Sequence, residues 1–297
     1  MIENKSATSK IRFAVIHIVV VLLALVCLLP LWNIICISFS SSAAVAGNRV
    51  GLWPVQATVA AYEKIIGDTQ FWRSFGISAL RVVIALVLNL VMIVLMAYPL
   101  SKSKKEFRAR NVYMYLMVFA MLFSGGMIPT YLVVKELGLL NSIWSLILPG
   151  AVPIFSVIMV MNFFMGIPQS LGEAATIDGA TPMQILTRIY VPCSKPSLAT
   201  VALFSIVGSW NDFYNGLIYI TKIKNYPVMT YIQSLSVNLE ELIKNGGNAN
   251  ALANAAEVSN QNLNAAKIVV AVIPLLLIYP LLQKYLITGI VMGSVKE

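Results

Sequence analysis

The chain has 297 residues, of which 59% are hydrophobic and only 11% are charged, and its formal net charge is +9. Soluble domains are about 45–50% apolar and about 25% charged. So few charges cannot build a water-facing surface, and most of the exterior must therefore face lipid. Lysines and arginines on cytoplasmic loops account for the positive charge of such a chain, so we do not expect nucleic acid as a partner.

The N-terminal apolar stretch is interpreted as a membrane helix rather than as a secretion signal. It runs from Phe13 to Phe39, which is much longer than the about 7–15 apolar residues of a signal-peptide core. A helix of about 20 residues crosses the hydrocarbon layer. We therefore predict a retained first transmembrane helix.

Six stretches, the first included, are long and apolar enough to span a membrane. Each must be helical, because lipid offers no partner to backbone N–H and C=O groups. The sequence therefore predicts an all-α polytopic membrane protein with about six transmembrane helices. The predicted spans are Arg12–Ser38, Phe75–Leu100, Val112–Val134, Ile143–Phe164, Leu198–Ile220 and Ile268–Leu286.

Prolines and glycines interrupt several of these spans: Pro30, Gly125, Gly126, Pro129, Pro149, Pro153, Pro274 and Pro280. Such interruptions are tolerated where neighbouring helices or a water-lined cavity bind the freed backbone groups. They are consistent with a translocation path and equally with kinks that serve helix packing.

Basic residues set the predicted orientation. They cluster before the first span and directly after the second: Lys5, Lys10 and Arg12, and Lys102, Lys104, Lys105, Arg108 and Arg110. Both clusters lie on one side of a six-span chain, so that side is cytoplasmic, together with both termini and the loop at about 166–196. Segments at about 40–74 and 221–267 then lie outside. The second contains a polar stretch, 245–250, typical of a loop.

The cysteines and the single histidine do not predict a metal site or a disulfide framework. Cys27 and Cys36 share one apolar segment and point to nearly opposite sides of a helix, so they cannot pair. Cys193 and His17 have no partner at metal-ligand spacing. We expect no metal and no cofactor bound by this chain.

The cytoplasmic loop at about 166–196 has the signals of two short helices. Ser170 and Glu173 have the spacing of a capping box, and Gly179 suits the positive φ that ends a helix. A second capping box, at Thr181 and Gln184, predicts a second helix. Pro182 suits its first position, and Val191-Pro192 is predicted to stop it. By spacing alone, this helix–glycine–helix elbow is either a docking element for another protein or an ordinary interfacial turn.

Residues of the elbow resemble the EAA motif of ABC importer permeases. The matching positions are Glu173, Ala174, Ala175, Asp178, Gly179, Ala180, Ile189, Pro192 and Pro196. Four further segments resemble the carbohydrate branch of these permeases: 50–54, 97–101, 123–131 and 293–296. Within it they are similar to the LplC/YtcP-like sugar permeases, which are related to the smaller maltose-type permease. The resemblance implies the type I ABC importer transmembrane fold, with residues 1–297 as a single permease domain in a bacterial cytoplasmic membrane.

The resemblance also implies an assembly. It comprises a second homologous permease, commonly a different chain, two cytoplasmic ATPases that use ATP and Mg²⁺, and an extracytoplasmic sugar-binding protein near the segment 221–267. The elbow would be the coupling helix that docks on an ATPase, between Pro168 and Pro192. The implied coupling residues are Glu173, Ala174, Ala175, Asp178, Gly179, Ala180 and Pro192. The sequence has no G-x-x-x-x-G-K-[ST] phosphate loop, so we expect a transport subunit and not an enzyme.

Polar residues inside the predicted spans are candidates for the sugar path, because burying them without purpose is costly. We expect Arg81 and Asp212 to approach one another, either as a pair that fixes helix packing or as part of a cavity. The cavity alternative adds Asn211, and Trp210 as an aromatic face for a sugar ring. Asn89 and Asn162 are weaker candidates, more typical of interhelical hydrogen bonds. An unpaired Arg81 facing the cavity would favour an acidic oligosaccharide.

Two other functions remain open from the sequence. An ABC permease for a non-sugar solute would share the elbow, because the sugar rests on resemblance alone. A secondary transporter driven by an ion gradient explains six spans and buried polar residues, but it gives no reason for the pattern between Glu173 and Pro196. The particular sugar, the partner permease and the ATPase do not follow from the sequence.

Overall fold

The computed structural model describes residues 7–235 and 261–294, and all regular structure in these two ranges is helical. This confirms the predicted all-α class. The α-helices in chain order are α1 (Ala7–Ser38), α2 (Ser42–Ala46), α3 (Ala60–Gly67), α4 (Thr69–Ser101), α5 (Arg110–Leu122), α6 (Met127–Glu136), α7 (Ile143–Ile147), α8 (Ile154–Met165), α9 (Gln169–Ile177), α10 (Pro182–Ile185), α11 (Val191–Cys193), α12 (Lys195–Asn211), α13 (Tyr214–Tyr219), α14 (228–235) and α15 (Gln261–Ser294).

Three of these helices are long and apolar enough to cross a membrane, over Ile11–Ser38, Thr69–Ser101 and Gln261–Leu281. Three further candidates are pairs of helices bent at a short break, so the described residues provide up to six spans. The predicted number of about six is confirmed. Pro30 in α1, and Pro274 and Pro280 in α15, lie within continuous helices.

The predicted span Val112–Val134 is broken at its glycines into two helices. The chain leaves α5 at Leu122 and enters α6 at Met127, and the two helices make an angle of 112°. Gly126 adopts a φ of 86°, a left-handed conformation that costs glycine little because it has no Cβ. The N–H of Gly126 donates to Ser124 Oγ over 3.2 Å, so a local polar contact stabilises the break.

The predicted span Leu198–Ile220 also has a break. Helix α12 ends at Asn211, and Asp212 is extended, with φ −72° and ψ 99°. The Asp212 carboxylate accepts a hydrogen bond of 3.1 Å from the N–H of Asn215 in the first turn of α13. Aspartate competes with helical backbone bonding in this way, and here it separates the two helices.

Contacts among the Cα atoms divide the chain into two compact units. The first contains residues 1–69 and 235–272. Within its described part, Asn262 Nδ2 donates to the carbonyls of Ile37 and Ser38, over 3.0 and 3.3 Å, and to that of Ser40. The end of α1 is thereby capped by a side chain of α15. Buried Lys267 forms an ion pair of 2.7 Å with the partly exposed Asp68 in the same unit.

The second unit contains residues 70–234 and 273–297. Its hydrophobic core is formed by one face of α4, by α5 and α8, and by the segment around Tyr190. Residues 236–260 lie outside the described part of the chain. They include the polar stretch 245–250 and most of the predicted extracytoplasmic segment 221–267. The end of the tail, 295–297, also lies outside it.

Candidate functional site

The first arm of the elbow is helix α9, which begins at Gln169 directly after Pro168. The predicted capping box at Ser170 and Glu173 is wrong, because Pro168 takes the capping position and no side chain caps the helix. Ser170 therefore lies inside the first turn. Proline suits this entry because its fixed φ is already close to the helical value.

The first arm ends as the sequence predicts. Gly179 has a φ of 81°, in the left-handed region that glycine adopts most readily. Its N–H donates to Thr176 O over 3.0 Å, and the N–H of Ala180 donates to Ala175 O over 2.9 Å. These bonds satisfy carbonyls that the end of the helix would otherwise leave free.

The second arm begins with the predicted capping box. The N–H of Gln184 donates to Thr181 Oγ1 over 3.4 Å, and the N–H of Thr181 donates to Gln184 Oε1 over 2.8 Å. The second arm ends at Cys193, one residue after the predicted stop at Val191-Pro192. The chain continues as a π-helix, Leu186–Tyr190, and then as α11, before it turns through 83° into α12. Pro192 lacks an N–H, and the wider π-turn accommodates that missing donor without ending the helix.

The two faces of the elbow differ in exposure. Ala175 and Ala180 are half-buried and pack against the hydrophobic core of the second unit. The other resemblance-derived coupling residues are exposed: Glu173, Ala174, Asp178, Gly179 and Pro192. The positions expected to contact an ATPase therefore form an accessible outer face, and two small alanines hold the opposite face against the bundle.

Ile177 is a candidate contact residue that the sequence analysis missed. It is 87% exposed, the largest exposure among the large hydrophobic side chains of the described chain. It lies three residues after Ala174 and four after Glu173, so it shares their face of the helix. An apolar residue at that spacing on a segment placed outside the membrane was the signal that could have identified it.

A groove of about 1000 Å³ is lined by residues of the elbow and by residues of the loop after α4. Lys102 bridges it. Its ammonium donates to the Tyr190 hydroxyl over 3.0 Å and lies 4.8 Å from the ring centroid of Tyr98 and 4.6 Å from that of Tyr190. These distances are within the range of cation–π attraction.

Two charged groups beside this groove have shifted pKa values. Burial opposes the charge of Lys102, but the hydrogen bond with Tyr190 and the interactions with Tyr98 and Glu106 outweigh it and raise the pKa of Lys102. The hydrogen bond from Ser103 lowers the pKa of Glu106. Both groups therefore keep their charges near neutral pH.

Arg81 and Asp212 form an ion pair, as their predicted approach requires. The guanidinium also donates to the carbonyls of Leu146, over 3.1 Å, and Asp212, over 3.2 Å. Arg81 is only 3% exposed. Asp212 accepts a second bond from Asn215, over 2.7 Å between Nδ2 and Oδ2. A pair separated by 131 residues in sequence thus joins α4, α7 and the break after α12.

A polar cavity of about 260 Å³ opens beside this pair. Its polar lining residues are Arg81, Asn89, Ser145, Ser209, Asp212 and Asn215. Asn89 is also hydrogen-bonded to Ser205 over 3.0 Å, an interhelical bond of the kind expected for it. The sequence analysis missed Ser145 and Ser209. They lie on different helices that are distant in sequence, so no local pattern indicates that they line the same cavity.

Trp210 and Asn211 do not line this cavity in the described structure. Trp210 is buried, and its ring meets Phe75 edge-on with centroids 5.3 Å apart. Asn211 is exposed. The predicted aromatic face for a sugar ring is therefore occupied by packing. At about 100° of rotation per residue, Asn211 is turned about 100° and Trp210 about 200° from the direction of Asp212.

Up to six apolar spans, a helical elbow with an exposed outer face and a polar cavity inside the bundle define a membrane transport subunit. The chain belongs to the family described as binding-protein-dependent transport system inner membrane component, whose model matches residues 91–291. It is therefore an integral inner-membrane protein, the permease of an ABC importer, as the EAA-like residues predict. ATP hydrolysis is not the activity of this family of subunits.

Relatives and solved structures agree with this family. The chain is 40% identical over 269 residues to Protein LplC of Bacillus subtilis (strain 168), with 91% of this chain and 89% of LplC covered. It is 38% identical over 275 residues to the polygalacturonan/rhamnogalacturonan transport system permease protein YtcP of the same strain, covering 92% and 94%. A chain of a bacterial ABC transporter involved in the import of the acidic polysaccharide alginate superposes with a TM-score of 0.83 at 33% identity, covering 94% and 98%.

Proposed function

We propose that this permease carries an oligosaccharide, delivered by an extracytoplasmic binding protein, across the membrane under the control of separate ATPase subunits. The family description supports dependence on a binding protein. Two similar proteins, described as transporting polygalacturonan/rhamnogalacturonan and as importing alginate, support a carbohydrate as cargo. The partner ATPases bind the ATP and Mg²⁺.

The outer face of the elbow is the observation that carries the coupling proposal. Ile177 exposes 87% of its surface on a segment that we place in the cytoplasm. Burying such a side chain contributes about 1.5–3 kcal/mol, and exposed apolar surface with a polar rim is typical of protein interfaces. Glu173 and Asp178, both exposed beside it, supply that rim. An ATPase that binds this face acquires a firm contact with the permease.

The connections of the elbow suit it to transmit movement. Pro168 joins α9 closely to the end of α8, and the second arm passes into α12 through the bend at Ser194. Helix α12 ends at Asn211, and the next residue, Asp212, lines the polar cavity. A displacement of the elbow by an ATPase therefore acts on helices that border the proposed sugar path.

The cavity beside Arg81 is our candidate for part of the sugar path. Its hydroxyl, amide and charged groups suit the hydroxyls of a sugar, and its volume of about 260 Å³ is that of a small polar chamber. Asp212 neutralises Arg81 in this structure. The expectation of an acidic cargo, which required an unpaired Arg81, therefore loses that basis, and we assign recognition of hydroxyls rather than of charge to this cavity.

The proposed assembly has a second, homologous permease beside this chain, and both termini in the cytoplasm. The elbow, the basic loop after α4 and the N-terminus then lie on the ATPase side of the membrane, in accord with the placement of lysine and arginine. The segment at about 221–267 faces the binding protein.

Purification of the intact complex tests the proposal. We expect the affinity-tagged chain, purified from native membranes, to co-purify with a second permease and an ATPase. We also expect uptake into vesicles to require ATP on the side of the membrane where the ATPase lies. Oligosaccharides released from polygalacturonan, rhamnogalacturonan and a neutral arabinan serve as probes. Uptake that follows an imposed ion gradient and ignores ATP would establish the secondary-transporter alternative.

A single substitution tests the outer face of the elbow. We expect Ile177→Asp to place a charge in the ATPase contact and to reduce co-purification of the ATPase by about 10-fold or more, because losing the burial of one such side chain alone is worth about 1.5–3 kcal/mol. Ile66→Asp is the matched control, since Ile66 is 73% exposed in α3, outside the elbow. Equal ATPase recovery with the two variants would contradict docking at Ile177.

A further inference from the structure

The cytoplasmic end of α4 is in direct contact with the elbow. Helix α4 ends at Ser101, and the next residue, Lys102, donates to the hydroxyl of Tyr190 over 3.0 Å. The Lys102 ammonium also lies between two aromatic rings, 4.8 Å from the centroid of Tyr98 and 4.6 Å from that of Tyr190. One lysine thus holds an aromatic ring from α4 and one from the elbow.

Tyr190 is fixed to both arms of the elbow. It is the last residue of the π-helical segment of the second arm and is 4% exposed. A Cβ added to Gly172, in the first arm, would lie 3.7 Å from the Tyr190 hydroxyl. The ring also meets Phe164 of α8 edge-on, with centroids 5.4 Å apart. Movement of either arm therefore displaces Tyr190.

The opposite part of α4 carries Arg81. The helix is continuous from Arg81 to Ser101, a distance of about 30 Å at 1.5 Å per residue. Arg81 contacts the carboxylate of Asp212 and the carbonyl of Leu146 at the polar cavity. Helix α4 is thus a rod with one end at the elbow and the cavity contact along its length.

We propose that Lys102 and Tyr190 form a latch that ties α4 to the elbow, so that displacement of the elbow moves α4 and the Arg81 contact at the cavity. This inference rests on the proposed coupling function of the elbow. The latch is a different connection from the one that runs through α12. Helix α12 follows the elbow directly along the chain, whereas Lys102 and Tyr190 are 88 residues apart in sequence. Lys102 is a positioning residue that acts through Tyr190.

Lys102 adds a directional polar contact to a packed pair of aromatic rings beside the groove. The groove of about 1000 Å³ is lined by Lys102, Tyr98 and Tyr190, and the rings of Tyr98 and Tyr190 meet edge-on with centroids 5.1 Å apart. A hydrogen bond combined with cation–π attraction has a defined direction and can break and re-form as one unit.

The test measures coupling in the intact complex reconstituted in vesicles, as sugar transported per ATP hydrolysed. We expect Lys102→Met and Tyr190→Phe each to lower this ratio about 5-fold or more, the size of a weak allosteric coupling. Lys102→Arg retains the cation and the donor and restores most of the ratio. Lys104→Met is the matched control, because Lys104 is an exposed lysine of the same loop, and its ratio stays that of the unmodified complex.

The double variant provides a further criterion. If the two side chains act through one contact, Lys102→Met combined with Tyr190→Phe lowers the ratio no further than either change alone. Tyr190→Phe removes only a hydroxyl, so it preserves the packing of the ring and keeps the test valid if Lys102→Met impairs assembly. The midpoint of thermal unfolding is recorded for every variant.

The outcomes separate the latch from a structural role and from the proposed function. A lowered unfolding midpoint with an unchanged transport-to-hydrolysis ratio overturns the latch, since a merely structural contact has that signature. An additive double variant also overturns it. Absence of ATP-dependent uptake in the unmodified complex refutes the proposed function itself, whereas coupled uptake with all variants unaffected refutes only the latch.

Discussion

The ion pair of Arg81 and Asp212 predicts an asymmetric response to loss of its two charges. Arg81 is 3% exposed, and apart from the carboxylate it donates to the carbonyls of Leu146 and Asp212. Asp212→Asn leaves a guanidinium that cannot lose its proton with only neutral acceptors. Breaking a buried pair in this way costs about 3–5 kcal/mol. We expect about 3 kcal/mol, because the asparagine oxygen still accepts a hydrogen bond.

Removing the arginine costs less. The Asp212 carboxylate is 17% exposed beside a polar cavity and keeps two bonds from Asn215, of 3.1 Å to its N–H and 2.7 Å to its amide. The carboxylate can also become neutral by taking up a proton, whereas the guanidinium cannot become neutral by losing one. We therefore expect Arg81→Met to destabilise the protein by about 2 kcal/mol, within the range of about 1.5–3 kcal/mol for a lost hydrogen bond to a charged group. The double variant should fall short of the sum by about 1–3 kcal/mol.

Thermal unfolding of the purified complex measures this order. The midpoint for Asp212→Asn should lie several degrees below that for Arg81→Met, and the double variant should recover part of the loss. Asn211→Ala, next to Asp212 but exposed, is the control and should change stability by no more than about 0.5 kcal/mol. Equal midpoints for the two single variants, or strictly additive effects, would refute a buried charge pair.

Three further predictions concern single positions. Gly179→Ala should destabilise the elbow by about 1–2 kcal/mol because φ is 81°, and Gly179→Asn should destabilise it less because asparagine tolerates that conformation. The ATPase activity of the complex, measured at rising temperature, compares the two variants. Equal effects would contradict the reasoning. Gly172→Ala should be tolerated, whereas Gly172→Leu should displace Tyr190 and lower the sugar transported per ATP. Normal transport by the leucine variant would contradict this, because it would show that the position of Tyr190 does not affect coupling. Asp68→Asn should lower the unfolding midpoint by removing the carboxylate that lies 2.7 Å from buried Lys267, with Glu63→Gln in the same segment as an exposed control.

Backbone signals with short sequence range were predicted well. The positive φ of Gly179 and the capping box of Thr181 and Gln184 follow from interactions within four residues, which sequence spacing specifies. The capping box at Ser170 failed for a local reason, because Pro168 already occupied the position that begins the helix. The predicted stop at Val191-Pro192 was one residue early, because a π-turn upstream lets the helix continue to Cys193.

The sequence predicted where prolines and glycines interrupt the membrane spans, but not which of them break a helix. Gly126 turns the chain through a large angle, whereas Pro274 and Pro280 remain inside one helix. The reason is that a proline removes one donor and kinks the helix, while its neighbours decide whether the chain continues beyond it. Asp212 made a break that contains neither residue type, since its carboxylate binds the start of the next helix.

The sequence by itself determined that this chain lies in a membrane, how many spans it has, and that an elbow with EAA-like residues follows the fourth. These properties depend on apolar length, charge placement and near-neighbour spacing, all of which are local. Only the tertiary structure decided that Trp210 packs on Phe75, that Ser209 and Asn215 line the cavity, and that Lys102 meets Tyr190. Each of these depends on the rotation and approach of helices distant in sequence, which the packing of the whole unit sets and no short stretch of residues specifies.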